Sequence, residues 1–539
     1  MKRVIASFLF VSLFNTVSSA DNYPRNNSID IIHYLFMLEL TDNQNVVQGE
    51  TSIDIRFLTD GVTEFSLDLI GKVPGEETGM TVTNVRNGDV SLDFSHENNR
   101  IRIRLRQPSN KNERRTITVI YSGIPADGLI IDENKFGERT FFGDNWPDRA
   151  RHWLPSIDHP YDKATCEFMI TAPERYQVIA NGAKTEESSL PEGMRLTHWT
   201  ESVTIPTYCM VIGVARFAVQ YVDEYNGIPI QTWVYPQNKD EGFYDFARAR
   251  RVIAFYSSQI GPYPYEKLAN VQSKTRYGGM ENASNIFYSE RSVSGQRRSE
   301  GTVTHEIAHM WFGDSVTQDD WHHVWLSEGF ATYFTHLFNE FTYGRDRLVE
   351  GMKANRDRVL RYYERNPTSP LVDTSITELT RLLSANSYQK GGWVLHMLRY
   401  LIGDENFWEG IRIYYREFRN DNAMTADLQR VMEEVSGRDL EGFFQQWIFQ
   451  PGQPSLMGTW DFRNGELSVM LDQVQTDGTF FRFPLELGIY REGQALPEIQ
   501  TVQIDNRENR FTIALDSPPG DVVLDPNTWV LMMAEFGRR

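Results

Sequence analysis

The period at which apolar residues recur changes twice along this 539-residue chain, and these changes constrain its fold more than any other feature. Up to about residue 218, apolar residues mostly alternate with polar ones, as in Thr51-Ser-Ile-Asp-Ile-Arg-Phe. From about Glu241 to Phe449 they recur every three or four residues, which is typical of helices. Alternation returns after Pro451-Gly-Gln-Pro, a segment that breaks helices.

These periods predict a multidomain protein. It has an N-terminal antiparallel all-β domain, a central α+β domain rich in helices, and a small C-terminal β-sandwich. We place the three domains at residues 21–218, 219–450 and 451–539. The length of the chain agrees with three domains, because a domain usually has about 100–200 residues.

Composition narrows the class of protein. With 40% apolar and 24% charged residues, the chain is not disordered, collagenous or a multi-span membrane protein. The formal net charge of −19 argues against nucleic acid as a partner, because an acidic surface repels phosphates. The two cysteines, Cys166 and Cys209, could form a disulfide or stay as buried free thiols.

The first twenty residues have the features of a signal peptide. Lys2 and Arg3 precede an apolar run, and small residues lead up to Ala20. The alternative is a buried N-terminal strand or helix. The run is too short for a membrane anchor. Residues 1–20 therefore predict an exported protein, periplasmic or secreted, with no membrane span after cleavage.

The segment Thr304-His-Glu-Ile-Ala-His carries the strongest chemical signal in the sequence. On a helix, His305 and His309 lie one turn apart on the same face, where two imidazoles can bind one zinc ion. Glu306 then lies beside the metal, within reach of a water molecule at its open position. An ordinary amphipathic helix is the alternative for this motif alone.

A catalytic zinc site needs a third protein ligand, and Glu328 is the candidate. It begins a second amphipathic helix among aromatic and aliphatic residues, where a carboxylate is costly unless it is paired or binds a metal. HExxH followed after eighteen residues by Glu is the gluzincin pattern. The sequence thus predicts one Zn²⁺ per chain, held by His305, His309 and Glu328.

A second motif, Tyr277-Gly-Gly-Met-Glu-Asn282, lies upstream. Its glycines allow a ligand to approach the backbone closely, and Glu281 precedes an expected edge strand over residues 283–288. Alone, this segment could equally be a turn that enters a strand. Together with HExxH and the distant Glu, however, GxMEN is the pattern of the aminopeptidase N and leukotriene hydrolase family. The sequence resembles that family from about residue 30 to 455.

Further segments carry the same resemblance. They are Ala150-Arg-His-Trp-Leu-Pro-Ser-Ile-Asp-His-Pro160, Ser387-Tyr-Gln-Lys-Gly-Gly392, Thr425-Ala-Asp-Leu428, Trp447 and the Pro-Gly-Gln-Pro segment named above. The resemblance implies a thermolysin-like zinc catalytic domain over residues 219–450. It also implies an aminopeptidase that removes N-terminal residues from peptides with a free N-terminus.

The resemblance also implies a role for each matching residue. Glu306 would be the general base, Tyr388 would donate a hydrogen bond to the oxyanion, and Glu281 would bind the substrate's α-ammonium group. Neighbouring residues would hold the peptide in an extended form. These are Gly278, Gly279, Met280 and Asn282.

The sequence departs from the family's pattern in two places. Trp146 stands where many relatives carry Glu or Gln near the α-ammonium group, and Asp144, Asn145 or Asp148 could take over that contact. The family's large helical C-terminal domain has no counterpart in the 85 residues after Pro454. We therefore expect a more open active site, or one that another subunit covers. The sequence does not indicate an oligomeric state.

Two other functions fit the same motifs. The leukotriene branch of the family hydrolyses an epoxide, and a protein with an inactive site could bind peptides without cleaving them. The first is disfavoured because the helical domain that helps to bind that substrate's carboxylate is missing. The second is disfavoured because His305, Glu306, His309 and Glu328 are all present.

Overall fold

The computed structural model describes residues 21–539, so the predicted signal peptide lies outside the described residues. Along the chain, a strand-rich region is followed by a mixed region of helices and strands and then by a second strand-rich region. This order confirms the fold class that the hydrophobic periods predict. Within the described range, no helix is both long and apolar enough to cross a membrane.

Between residues 29 and 215 the chain forms fifteen strands. They are β1 (Ile29–Glu39), β2 (Val47–Phe57), β3 (Glu64–Asp68), β4 (Gly79–Asn87), β5 (Val90–Ser91), β6 (Asp93–Glu97), β7 (Arg100–Arg104), β8 (Arg114–Ile124), β9 (Leu129–Glu133), β10 (Arg139–Gly143), β11 (Lys163–Pro173), β12 (Gln177–Ala180), β13 (Ala183–Leu190), β14 (Met194–Pro206) and β15 (Ile212–Ala215). Eight of them form one sheet in the order β13-β14-β11-β1-β2-β8-β4-β5. In this sheet β1 and β11 run parallel and the other neighbours run antiparallel.

Residues 218 to 449 combine helices with a smaller sheet. The strands are β16 (Ala218–Tyr225), β17 (Ile228–Val234), β18 (Leu268–Ser273), β19 (Gly279–Met280), β20 (Asn285–Ser289), β21 (Val316–Gln318) and β22 (Asp421–Ala423). The helices are α1 (Lys239–Phe246), α2 (Ala249–Gln259), α3 (Glu300–His309), α4 (Trp325–Tyr343), α5 (Arg345–Tyr363), α6 (Gly391–Ile402), α7 (Asp404–Phe418), α8 (Thr425–Ser436) and α9 (Glu441–Phe444). Two short π-helical segments cover Asn386–Lys390 and Gln445–Phe449.

The edge of the central sheet differs from the prediction. The strand order is β16-β17-β18-β20-β19, so β20 pairs with a neighbour on each side and is internal. The prediction that residues 283–288 form the edge strand is therefore wrong. The edge is β19, a strand of two residues, Gly279 and Met280. Consequently the glycine motif itself forms the free edge of the sheet.

The C-terminal region is built from two sheets. Its strands are β23 (Ser455–Arg463), β24 (Glu466–Gln473), β25 (Phe483–Tyr490), β26 (Glu498–Ile504), β27 (Glu508–Ala514), β28 (Asp521–Leu524) and β29 (Met533–Arg538). Four strands form one sheet in the order β27-β24-β23-β29, and three form the other in the order β26-β25-β28. The predicted domain limits after residues 218 and 450 fall at the first residue of β16 and between the second π-helical segment and β23.

Three buried or partly buried lysines join these regions, and we call them the interdomain lysines. Lys163, on β11, donates to two backbone carbonyl oxygens in the loop after α3, at 3.0 and 2.8 Å. Lys267, just before β18, donates in the opposite direction, to the carbonyl oxygens of Ala180 and Gly182, both at 2.7 Å. Lys390 donates to a carbonyl oxygen just before β23, at 3.2 Å. The central region is thus hydrogen-bonded through lysines to both of its neighbours.

The two cysteines do not pair with each other. Both thiols are buried and free, and Cys209 donates to Oδ1 of Asp314 at 3.4 Å. Burial raises the pKa of both the Cys166 and the Cys209 thiol well above the ordinary value. Of the two alternatives that the sequence leaves open, the structure has the unreactive free thiols.

Candidate active site

The three predicted metal ligands meet in a cleft of about 390 Å³. His305 and His309 lie one turn apart on α3, and their Nε2 atoms are 3.2 Å from each other. Glu328 lies in the first turn of α4. Its Oε2 is 3.2 Å from Nε2 of His305 and 3.4 Å from Nε2 of His309. Two helices that are separated in sequence therefore bring three donor atoms together at one possible metal site.

The spacing and chemistry of this triad fit zinc. Donor atoms about 2.0–2.2 Å from one tetrahedral ion lie roughly 3.3–3.6 Å from each other, which is close to the separations observed. Nδ1 of His309 lies 3.1 Å from the carbonyl oxygen of Phe312, so the ring donates there and keeps Nε2 free as a ligand. Burial raises the pKa of Glu328, but the two imidazoles outweigh it and lower this pKa to about 2. The third ligand is therefore an ionised carboxylate.

Glu306 is held against the edge of the central sheet. The strand β19 approaches α3 so closely that a Cβ atom on Gly279 would lie 2.3 Å from Oε1 of Glu306. Only glycine leaves this space. Burial raises the pKa of Glu306 well above its ordinary value. A carboxyl group that binds a proton so readily is suited to accept one from water and release it again.

The cleft carries an excess of negative charge near His309. One carboxylate oxygen of Glu281, one of Glu306 and a ring nitrogen of His309 lie within 4.8 Å of one another. Burial lowers the pKa of His309, but the surrounding carboxylates outweigh this effect and raise it to about 10. Within residues 21–539, Glu281 forms no ion pair with a lysine or arginine, although it is only 6% exposed. Such a carboxylate favours the binding of a cation.

Tyr388 also faces the triad. It lies in the first π-helical segment, a type of distortion that recurs at functional sites, and its side chain lines the cleft. Its ring stacks on that of His305 with the ring centroids 5.8 Å apart. Burial raises the pKa of the phenol well above the ordinary value, so the hydroxyl keeps its proton and can donate a hydrogen bond.

The GxMEN motif is divided between the cleft and the protein interior. Gly278, Gly279, Met280 and Glu281 line the cleft. Asn282 does not line it: the side chain is fully buried, and neither amide atom has a hydrogen-bond partner among the described residues. Asn282 is therefore not placed to contact a substrate in the cleft, contrary to the prediction.

Trp146 occupies the wall near β19. It is 3% exposed, lines the cleft, and packs edge-on against Tyr277 with the ring centroids 6.1 Å apart. The suggested polar substitutes all face elsewhere. Asp144 lies 3.5 Å from an arginine, Asn145 donates to two backbone carbonyl oxygens, and Asp148 lies 3.5 Å from another arginine. This part of the cleft wall is therefore aromatic.

The structure adds residues that the sequence analysis did not single out. They come from α3, α4, α5 and the segments on either side of Tyr388, and apart from Gln389, in the Ser387–Gly392 segment, no local motif marks them. Those with side chains are Thr302, Thr332, Thr335, His336, Asn355, Arg358, Leu383 and Gln389. Most of them are polar, and they extend the cleft beyond the metal ligands.

Comparison with known proteins agrees with this architecture. The peptidase M1 N-terminal domain model matches residues 31–209, and the peptidase family M1 domain model matches residues 244–447. Glutamyl aminopeptidase of Mus musculus is 28% identical over 325 residues, which cover 58% of this chain and 34% of that protein. The chain thus spans about a third of the length of this relative.

Two solved structures have a similar fold. Legionella pneumophila aminopeptidase A in complex with aspartic acid gives a TM-score of 0.80 at 17% identity, covering 96% of this chain and 61% of that one. A mutant of the M1 zinc metallopeptidase from Deinococcus radiodurans gives a TM-score of 0.66 at 23% identity, covering 78% and 94%. At such identities the likeness concerns the fold. Because two models of one family match the chain in order and the fold agrees, the chain belongs to the peptidase M1 family.

Proposed function

We propose that this protein is a zinc-dependent aminopeptidase that removes N-terminal residues from peptides, with water attacking the first peptide bond. One observation carries the proposal: Glu281, buried and without a lysine or arginine partner among the described residues, faces the same cleft as the triad and Glu306. The triad and Glu306 account for hydrolysis, and Glu281 accounts for the choice of a free N-terminus. The activity in the names of the relatives supports this function over epoxide hydrolysis.

One Zn²⁺ per chain would be held by His305, His309 and Glu328. When bound, zinc polarises the scissile carbonyl and makes water acidic enough to lose a proton near neutral pH. The two imidazoles and one carboxylate leave room for a fourth ligand, as a catalytic site requires. The intact ligand set also speaks against an inactive peptide-binding protein.

The remaining chemistry belongs to residues of the chain. Glu306 would take a proton from the attacking water and pass it to the leaving amine. The hydroxyl of Tyr388 would donate a hydrogen bond to the carbonyl oxygen as that oxygen becomes negative. The free edge of β19 would hold the peptide as an added strand, because Gly278 and Gly279 let its backbone approach.

Glu281 makes the proposal testable. We would assay one peptide with a free and with an acetylated N-terminus, using wild type, Glu281→Ala and the exposed control Glu364→Ala. Wild type should cleave only the free peptide, and Glu281→Ala should lose about 2–5 kcal/mol of transition-state stabilisation, as when a buried charge pair is broken. Glu364→Ala should behave as wild type. Rapid internal cleavage of the acetylated peptide by wild type would identify an endopeptidase instead.

We also propose that the protein is exported, periplasmic or secreted, and acts there on peptides rather than on nucleic acids. The basic start, apolar run and small residues of positions 1–20 support export, and the net charge of −19 supports the choice of partner. Mass spectrometry of protein recovered from the periplasm or medium should find Asp21 at the N-terminus. A mature protein that keeps Lys2 and Arg3 would contradict this proposal.

A further inference from the structure

The cleft continues along α3 beyond the metal ligands. One turn before His305, Gly301 and Thr302 line it. Successive turns of α4 after Glu328 supply further lining residues, and α5 closes this end. The lining residues from the two helices are Thr332, Thr335, His336, Asn355 and Arg358. This end is polar, in contrast to the aromatic wall at Trp146.

A contact between α4 and α5 places the face of α5 that carries Arg358 at this end. The side-chain amide Nδ2 of Asn355 donates to Nε2 of His336 at 2.8 Å, which joins the two helices at the cleft. Arg358 lies three residues after Asn355 and so on the same face of α5. Burial lowers the pKa of His336 to about 4, so that ring is neutral. Among the described residues that line the cleft, Arg358 is the only lysine or arginine.

Arg358 is also available to a ligand. Its side chain is exposed, and within residues 21–539 it forms no ion pair. The carboxylates that line the cleft are those of Glu281, Glu306 and Glu328. Glu328 is engaged with the two histidines, and Glu306 lies against β19. A guanidinium group at the mouth of such a cleft can therefore bind an anionic group of a ligand.

Glu281 and Arg358 lie toward opposite ends of the cleft. Glu281 is within 4.8 Å of His309, near the C-terminal end of α3, whereas the polar end begins at Gly301. Eight residues of helix separate His309 from Gly301, which is about 12 Å. An extended peptide advances about 3.3–3.6 Å per residue, so three residues span about 10 Å. A peptide with its ammonium group at Glu281 thus brings its third residue toward Arg358.

We propose that Arg358 binds a carboxylate of the leaving fragment, so that the preferred substrates are peptides of about three residues with a free C-terminus. The direction in which the peptide lies rests on the function proposed above. A guanidinium fork matches a carboxylate with two parallel hydrogen bonds. A short peptide is a zwitterion, and its charges then match an acidic end and a basic end of one cleft.

Binding to the slow variant Glu306→Gln tests this without relying on turnover. The probes are tri-alanine, tri-alanine amide and the dipeptide amide Ala-Asp-NH₂, with dissociation constants measured by calorimetry. Tri-alanine should bind about 10-fold more tightly than its amide, in the range expected for a hydrogen bond to a charged group. Adding Arg358→Met should remove this difference, and Arg358→Lys should restore part of it, because lysine keeps the charge but not the fork.

Lys353→Met is the matched control, because it removes a positive charge from α5 at a position about 140° around the helix from Arg358. The preference for the free carboxylate should survive in it. Equal binding of tri-alanine and its amide would overturn the proposal, as would a preference that persists in Arg358→Met. In a third outcome, Arg358→Met weakens the binding of Ala-Asp-NH₂ but not that of tri-alanine. This result would overturn the preference for short peptides, because Arg358 would then bind an acidic side chain.

Turnover by wild type separates this inference from the proposed function. If wild type cleaves none of the free-amine peptides while the Arg358-dependent difference in binding is present, the proposed function fails and the carboxylate site stands. If wild type cleaves tri-alanine and its amide equally well, and the binding difference is absent, the aminopeptidase function stands and the carboxylate site fails.

Discussion

The substrate cleft and the interdomain lysines both bury ionisable groups, but they satisfy them in opposite ways. Each interdomain lysine donates to backbone carbonyl oxygens of a neighbouring region, so the protein completes its hydrogen bonds. In the cleft, Glu281 and Glu306 have no lysine or arginine partner among the described residues. Apart from the nearby His309, their partners must come from outside the chain, as a metal, a water molecule or a substrate.

This difference separates structural from functional charges. A buried group that the fold itself satisfies contributes to stability, whereas one left without a partner raises the free energy of the folded state and is retained for a ligand. Substitutions in the cleft should therefore remove activity at little cost in stability. Substitutions of the interdomain lysines should do the reverse.

The largest effect is expected for Glu328→Ala. Two imidazoles alone hold zinc poorly, so both the bound metal and peptide hydrolysis should be lost. Metal analysis of the purified protein, together with an activity assay, would measure this. Glu364→Ala, which removes an exposed carboxylate, should keep both. Full zinc and full activity in Glu328→Ala would refute the ligand assignment.

Glu306→Gln should separate metal binding from catalysis. The three ligands are untouched, so zinc should remain, while kcat should fall by about 10³-fold with the loss of the general base. The melting temperature should not fall, because the substitution removes a buried charge. A clear loss of stability together with near-normal kcat would place Glu306 among the structural groups.

Tyr388→Phe should have a smaller effect that is confined to the transition state. Loss of one hydrogen bond to the developing oxyanion should lower kcat by about 10²-fold with little change in KM. Steady-state kinetics on a free peptide would show the split. If KM rises while kcat holds, Tyr388 is a contact to the bound substrate instead.

Lys267→Met should lower stability and leave activity unchanged, the opposite of what is expected for substitutions in the cleft. The carbonyl oxygens of Ala180 and Gly182 lose their donor, which should lower the free energy of unfolding by about 1–3 kcal/mol. The kcat of the folded protein should be unchanged. Chemical denaturation, with Lys353→Met as an exposed control, would measure the difference. Loss of kcat without loss of stability would instead place Lys267 among the functional groups.

The smallest effect concerns how Lys267 responds to pH. Burial lowers its pKa to about 7, although the carboxylates of Glu201 and Glu266 oppose this. The unfolded chain keeps this proton up to about pH 10.4, so between these values it binds more protons than the folded chain does. The contribution of Lys267 to stability should therefore rise with pH over that window. Unfolding at several pH values should give a shallower slope for Lys267→Met than for wild type, and equal slopes would contradict this.

The metal triad could be predicted from sequence because its geometry is local or follows from a known spacing. His305 and His309 share a helical face whatever surrounds them, and Glu328 stands at a distance that the family pattern fixes. The order of β, mixed and β regions could likewise be read from hydrophobic periods, since each strand or helix faces the core on one side. These features follow from local sequence patterns and do not depend on packing between distant elements.

The rest of the cleft could not be predicted, because it depends on packing between distant elements. The edge strand β19 has two residues, too few to show any alternation, so the pattern predicts the longer β20 as the edge. Arg358 reaches the cleft because α5 packs against α4, where Asn355 donates to His336. Asn282 follows Glu281 directly, yet the chain turns it inward. No periodicity or motif reports such contacts.

The close approach at Gly279 has a consequence for how this sequence can change over time. Every other amino acid carries a Cβ, so no single substitution at this position is a small step. The atoms that such a Cβ would meet are Oε1, Cδ and Cγ of Glu306, so this side chain has to move away while the backbone stays in place. A mutation here would therefore yield a well-folded protein with a displaced base, which quality control by chaperones and proteases would not remove. Selection could detect such a change only through loss of the proposed activity.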